Sequence, residues 1–350
     1  MSGLPGPNAR HVTVRAPGKV NLSLRVGPPR PDGYHPVASV YLAVSLAETV
    51  TAVARPDGDA RITLAESTRQ PSSVDTRDVP WDERNLAHRA ALHLRQSLGL
   101  APETHGVHLE VSKQVPVAGG MGGGSADAAA ALLACSVLWD TGLTRSELAE
   151  LAAPLGADVP FAVTGGAAVG RGTGSELTPV AARRPVHLVL VPADAGLSTP
   201  IVFRTLDELR SLGRAPEGQG EPAVDADVVR ALAQADPLAL ALAMENDLQT
   251  PAVTLFPELS DVMDVGLDEG ALRAMVSGSG PTLLLLAHSE QDAARLATAV
   301  QERTGVAAVA GPRRPPPGGP PGLSHTPGAA FGGGGGGTRA AGHHGGHGGG

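Results

Sequence analysis

The sequence predicts an α+β fold in two domains that share a cleft, and three observations carry the prediction. Strand-like and helix-like segments are mixed along the chain rather than repeating as regular βα units. About 310 of the 350 residues have something to bury, enough for two domains. A change of pattern falls near 180–200, where a strand-rich first part gives way to a mostly helical stretch. The expected domains are 10–180 and 181–311. Beyond them, 312–350 is a Gly/Pro/His-rich tail with almost nothing apolar, expected to be disordered. His343, His344 and His347 in that tail have no fixed geometry for a metal.

Each element has a local reason. HVTVRAPGKVNLSLRV (His11 to Val26) alternates around Pro17-Gly18, with Val20, Leu22, Leu24 and Val26 on one face and Lys19, Asn21, Ser23 and Arg25 on the other. GPPRPDGYHP is a dense turn signal, and VASVYLAVSLAETVTAVA resumes as strand. A hairpin-like patch ends near Leu64, and 66–82 is polar and loop-like. Asn85 to Leu100 reads as a helix stopped by Gly99, and VHLEVSKQVP as a strand. A glycine loop then opens an alanine-dense helix. Thr144 and Glu147 form a capping box ahead of LAELAAPLG. AAVGRG and VHLVLVPA read as strands, 199–248 as mostly helix around the loop GRAPEGQGEPAV, and Leu255 to Ala271 as a helix. SGSGPTLLLLAHS is a loop and a buried strand, EQDAARLATAVQERTG a helix, and VAAVAG a closing strand. There is no internal repeat.

Composition narrows the function. With 27 basic and 35 acidic side chains the net charge is −8, and no basic stripe appears, so nucleic acid is not an expected partner. No apolar run approaches membrane-spanning length, and MSGLPGPNARH carries no apolar export core, so the expectation is a cytoplasmic protein without membrane association. The single cysteine, Cys135, excludes an internal disulfide and reads as a small buried hydrophobe. Aromatic content of 2% means a core built from Val, Leu and Ala.

The stretch PVAGGMGGGSADAAAALLACSVLW, Pro116 to Trp139, is the most informative. Glycine-rich turns that feed a helix N-terminus expose unpaired N–H donors at the positive end of the helix dipole, suited to a polyphosphate. No lysine follows in the P-loop register, and from Gly120 and Gly122 the dinucleotide pattern demands glycine at 125 and finds Ser125. The loop belongs to a third type. SGSGPT (Ser277 to Thr282) ahead of LLLLA offers an opposite wall for a phosphate channel.

Three blocks in order, APGKVNLSLRV, PVAGGMGGGSADAAAAL and SGSGPT, resemble the GHMP small-molecule kinases over about residues 12–309. PDGYHPV, LGADVPFAV (155–163) and STPIVF (198–203) narrow the likeness to the branch acting on a cytidine-diphosphate-linked methylerythritol. One departure is Ala126, where that family often carries a second serine. The resemblance implies a two-domain GHMP kinase architecture with the active site in the cleft, using ATP and Mg2+ on a small-molecule substrate, as a monomer or weak homodimer. It implies that Pro116, Gly119, Gly120, Gly122, Gly123, Gly124 and Ser125 contact ATP, with Mg2+ carried mainly by phosphate oxygens and water. Asn85 and Lys113 are candidate adenosine-side contacts.

It also implies that Asp158 is the catalytic base, that Lys19 sets a positive charge beside it and orients the substrate hydroxyl, and that Asn21 adds an uncharged hydrogen bond. On residues alone Asp158 fits a helix N-cap equally well, and Lys19 a solvated strand face. Tyr34 is expected to stack on the cytosine ring while His35 reads its edge. Phe203 would cover the other ring face, with Thr199 and Pro200 as the adjoining wall. Without the resemblance, Tyr34 and His35 pass for a packed turn and STPIVF for a helix entrance. A mevalonate- or homoserine-type kinase, or a non-catalytic nucleotide binder, remains the alternative.

Overall fold

The structure, a computed structural model, describes residues 9–56, 59–68, 74–117, 119–193, 196–218, 220–311 and 324–325. A mixed sheet dominates the first half: β1 (His11–Val26), β2 (Val37–Ala54), β3 (Ile62–Glu66), β4 (Val107–Ser112), β5 (Ala167–Arg171) and β6 (Glu176–Pro179). Between these strands run α1 (Leu86–Ser97), α2 (Gly123–Leu138), α3 (Arg145–Ala152) and α4 (Val159–Thr164). The second half forms an antiparallel sheet in the order β11-β7-β10-β9, from β7 (His187–Val191), β9 (Arg273–Val276), β10 (Leu283–Ala287) and β11 (Val309–Gly311). Around it lie α5 (Thr199–Ser211), α6 (Ala226–Gln234), α7 (Pro237–Ala243), α8 (Gln249–Leu255), α9 (Glu258–Asp268) and α10 (Glu290–Thr304). A two-residue β8 (Glu245–Asn246) from this half pairs in parallel with Ser23 and Leu24, joining the halves at β1. The class is α+β, as the mixed sequence pattern predicts.

Packing follows the side-chain alternation. On one face of the first sheet, Val14, Val50, Leu109 and Val111 meet Ala87, Ala90 and Ala91 of α1 and the alanines of α2. Small side chains bring these helices close to the sheet. In β10, Leu284 and Leu286 face Val20, Leu22 and Leu42 of the first sheet, while Leu283 and Leu285 face α5, α8, α9 and α10. Both faces of β10 are covered, which is why it reads as an unbroken apolar run. Cys135 is fully buried in the first core, and burial pushes its thiol up.

Several expectations need correction. The patch near Leu64 is no hairpin: β3 pairs in parallel with β4, as a half-buried edge strand. The helix expected from Leu255 starts later, because Phe256 precedes Pro257 and leaves the helical region (φ −139°, ψ 81°), so α8 ends and α9 begins at Glu258. Strand β6 was not foreseen. Within the tail expected to be disordered, Ser324–His325 pairs antiparallel with Val12 and Thr13 as β12, and the rest of 312–350 lies outside the described residues. Among the described residues no helix is long and apolar enough to cross a membrane.

Candidate active site

The glycine loop closes the gap between β4 and α2. Gly122 is the N-cap of α2 with φ +69°, a left-handed geometry in which glycine carries no Cβ penalty, and no side chain caps the helix. The amides of Gly123, Gly124 and Ser125 are therefore without intrahelical partners. Pro116, Gly119, Gly120, Gly122, Gly123 and Gly124 all line one cleft of about 380 Å3, walled on the other side by Asp78, Pro80, Arg84 and Asn85. Ser125, half-buried in the first turn, is not among the lining residues.

The second loop touches the first instead of facing it. Thr282 Oγ1 donates to Gly119 O at 2.5 Å, and a Cβ on Gly120 (φ +74°) would stand 2.7 Å from Gly280 O. The expected opposite wall is thus an adjoining one. Buried Asn246, which the sequence reading missed, holds this loop by donating to Val276 O and Gly278 O, both at 2.8 Å.

Lys19 and Asp158 are brought together at the mouth of that loop. Two register shifts in β1, between Pro17 and Lys19 and between Asn21 and Ser23, mark local bulges that re-aim side chains. Asn21 and Ser23 are buried, so this face of β1 is not solvated. Lys19 Nζ lies 3.6 Å from Asp158 Oδ2 and donates to Asn21 Oδ1 at 2.9 Å; its backbone N–H donates to Met121 O at 2.9 Å. Asn21 Nδ2 donates to Ser39 Oγ at 2.8 Å, and Ser39 Oγ donates to Ser23 O at 2.6 Å. That chain of donors fixes which end of the Asn21 amide meets the ammonium. The Tyr41 ring lies 5.4 Å from Lys19 Nζ; burial, and then the Asp158 charge, push its hydroxyl up. Asp158 has helical backbone angles (φ −88°, ψ −10°) and occupies the N-cap of α4, yet bonds none of its amides. The carboxylate stands beside Gly122, 30% exposed.

A second cluster lies along α5. Thr199, Phe203 and Asp207, four residues apart, share one helical face. Thr199 Oγ1 and Ser279 Oγ are 2.9 Å apart, linking α5 to the SGSGPT loop. Phe203 and His35 have ring centroids 5.0 Å apart, and His35 Nε2 lies 3.0 Å from Asp207 Oδ1. Asp207 was missed, although its spacing from Phe203 on a helix signals it. Tyr34 is 68% exposed at the loop tip, and Pro200 is exposed in the first turn of α5. The structure thus gathers His35 and Phe203 beside Thr199 on α5 and leaves the Tyr34 ring exposed next to His35 in the chain.

The two adenosine-side candidates are already engaged. Asn85 Oδ1 accepts from Ala87 N at 2.9 Å as the cap of α1, and Lys113 is buried between Glu48 and Asp127. Ala126 is fully buried in the first core.

Comparison with known proteins gives the family. Residues 85–166 match the GHMP kinases N terminal domain and residues 228–306 the GHMP kinases C terminal. The 4-diphosphocytidyl-2-C-methyl-D-erythritol kinase of Paenarthrobacter aurescens is 52% identical over 309 residues, 87% of this chain and 95% of its own length. The chain belongs to the GHMP kinases. Its Streptomyces coelicolor relative of the same name is 48% identical over 311 residues, 86% of this chain and 98% of that protein. Among solved GHMP kinases, a 4-(cytidine 5'-diphospho)-2C-methyl-D-erythritol kinase matches with TM-score 0.67 at 32% identity, covering 85% of this chain and 98% of its own. An L. major mevalonate kinase in complex with R-mevalonate reaches the same TM-score at 17% identity, a likeness of fold alone. As a member of this family the chain is an ATP-dependent small-molecule kinase.

Proposed function

We propose that the chain transfers the γ-phosphoryl group of ATP to the 2-hydroxyl of 4-diphosphocytidyl-2-C-methyl-D-erythritol. The observation that carries this reading is one continuous path of contacts. It runs from the glycine loop at Gly122, through Lys19 and Asp158, across Asn21 and the SGSGPT loop (Asn21 N donates to Ser277 Oγ at 3.2 Å, and Ser279 Oγ lies 2.9 Å from Thr199 Oγ1), to Phe203 and His35 on and beside α5. One end suits a triphosphate, the middle an alcohol, the far end a flat polar base. Relatives at 48–52% identity bear this substrate in their names, whereas the solved homoserine and R-mevalonate-bound kinases share the fold at 17–18%.

Phosphoryl transfer needs in-line placement, charge neutralisation and a destination for the hydroxyl proton. Asp158, uncapped and partly exposed beside Lys19, accepts that proton. Lys19 orients the hydroxyl and balances charge beside it, steadied by Asn21. The amides of Gly123, Gly124 and Ser125 hold the phosphates. Tyr34 stacks on the cytosine, and His35, set by Asp207, reads its edge. Mg2+ would ride mainly on nucleotide phosphate oxygens and water beside the loop. Mg2+ bound there supplies neutralisation of phosphate charge. We place the boundary between the two domains at 180/181.

The test is ATP consumption against a panel of alcohols with and without the cytidine moiety. Turnover confined to the cytidylated alcohol supports the reading; equal turnover on mevalonate or homoserine overturns it.

A further inference from the structure

Beneath the glycine loop lie three buried charged side chains that phosphoryl transfer does not use. Glu48 of β2, Lys113 just after β4 and Asp127 in the second turn of α2 are each 3% exposed or less. Lys113 Nζ is 2.6 Å from Glu48 Oε1 and 2.6 Å from Asp127 Oδ2, and Glu48 Oε2 accepts from Gln114 N at 2.8 Å. Asp127 Oδ1 has no hydrogen-bond partner, and Glu48 Oε1 meets the ammonium at contact distance without hydrogen-bond geometry. Two carboxylates against one ammonium leave an excess negative charge, and burial makes such an excess costly.

The cluster sits directly under the first residue of α2. A Cβ on Gly123 would stand 2.9 Å from Glu48 Oε1 and 3.4 Å from Lys113 Nζ, and Lys113 and Asp127 also line the cleft bordered by the loop. A polyphosphate on the amides of Gly123, Gly124 and Ser125 therefore arrives next to an already negative group at low dielectric. Like charge strengthens a carboxylate's hold on a proton.

We propose that Glu48 and Asp127 are positioning residues for the nucleotide, forming with Lys113 a proton-accepting seat under the loop that takes up one proton when the triphosphate binds. The inference rests on the loop being the phosphate site. The protonated seat is neutral and no longer repels the phosphates. Asp127, early in α2, is favoured as the ion by the helix dipole, which leaves Glu48 as the acceptor. Burial first, and then the neighbouring Asp127, raise the Glu48 carboxyl; burial raises Asp127, with Lys113 opposing. Such a unit titrates as a whole.

Other charged groups around the cluster stand outside it. From β1 come Arg15, 3.5 Å from Gln114 Oε1, and Lys19. From α4 comes Asp158, and from the segment before α1 come Asp78 and Arg84 on the cleft wall. On α1, His88 and His93 are bonded to Ile62 O and Leu151 O.

The test is calorimetric titration of the full chain with a non-hydrolysable ATP analogue, saturated with Mg2+, in buffers of different protonation enthalpy near neutral pH. The analogue's own titration is common to all proteins compared, so the readout is wild type minus Glu48→Gln. The expected difference is roughly one proton taken up, with wild-type affinity falling by up to about tenfold per pH unit above neutrality and the variant nearly flat. A purely structural ion cluster would not move the proton count. Equal counts in wild type, Glu48→Gln and Asp127→Asn overturn the proposal. Should Glu48→Gln fail to fold, the wild-type count corrected for the free analogue decides, and zero uptake overturns it. Failure of the analogue to bind at all overturns the phosphate-loop reading and this inference together, whereas binding without uptake overturns this inference alone.

Discussion

Asp158 holds the N-cap position of α4 but caps nothing; its Oδ2 lies 3.6 Å from Lys19 Nζ, a residue 139 positions earlier in the chain (158 − 19). A capping aspartate spends its oxygens on the second or third helical amide. This one bonds no helical amide and stands instead beside Lys19 and Gly122. Lys19→Met keeps the stem and removes the charge. Turnover is expected to fall about 100–1,000-fold with ATP affinity changed little, as when one preorganised donor is lost. Steady-state kinetics check it; a loss below about fivefold is incompatible with the assigned role.

Gly120 marks the contact between the two loops. Its φ of +74° and the 2.7 Å that would separate an added Cβ from Gly280 O leave no room for a side chain. Gly120→Ala is expected to raise the KM for ATP by about 5–30-fold, from roughly 1–2 kcal/mol of strain in the bound loop. Gly142→Ala, with φ +69° and open space around it, is the control: strained, but with unchanged KM.

Tyr34 is 68% exposed and supports no packing, so Tyr34→Ala leaves the melting temperature unchanged. Loss of roughly 1–3 kcal/mol of base stacking raises the KM for the cytidylated substrate about 5–150-fold, with the KM for ATP unaltered. Asp207→Asn, which takes the carboxylate from His35 Nε2 at 3.0 Å, acts on the same KM by a smaller factor. Unchanged KM in both variants would place the base elsewhere.

The triad under the loop also links stability to pH. Carboxyls raised by burial contribute stability that is fully present below their unfolded values, ~4 for Asp and Glu, and lost as pH rises through the folded values. The nucleotide-free protein therefore melts lower at pH 8 than at pH 5 through this contribution. In Glu48→Gln that gap shrinks by about 2–4 °C, measured by thermal denaturation at both pH values. An undiminished gap would assign the slope to other groups.

Much of the fold was legible because its signals are local. The Thr144–Glu147 capping box, the LLLLA strand and the alanine-dense α2 each follow from short-range pattern, and each is found. What escaped depends on partners far apart in the chain. The parallel pairing of β3 with β4, the linkage of β8 to β1 and the burial of Asn21 arise from tertiary placement that no window of residues contains. The candidate site divides the same way. The five glycines of 119–124 suggest an anion loop by themselves, while Asp207, Asn246, Ser39 and Glu48 look like ordinary helix-face and strand polar residues until folding delivers them. Lys113 shows what sequence position leaves out: a lysine beside the glycine loop suggests a ligand contact, and folding also sets its ammonium against two buried carboxylates.

Single-turnover phosphorylation by Asp158→Asn, read alongside binding of the non-hydrolysable ATP analogue, probes the assignment of the base at its root. Because the side chain caps no amide, the swap leaves the fold intact. The expected result is a chemical step slower by about 100–10,000-fold with nucleotide affinity preserved. A variant that transfers phosphoryl within a few-fold of the wild-type rate would show that the hydroxyl proton leaves by another route.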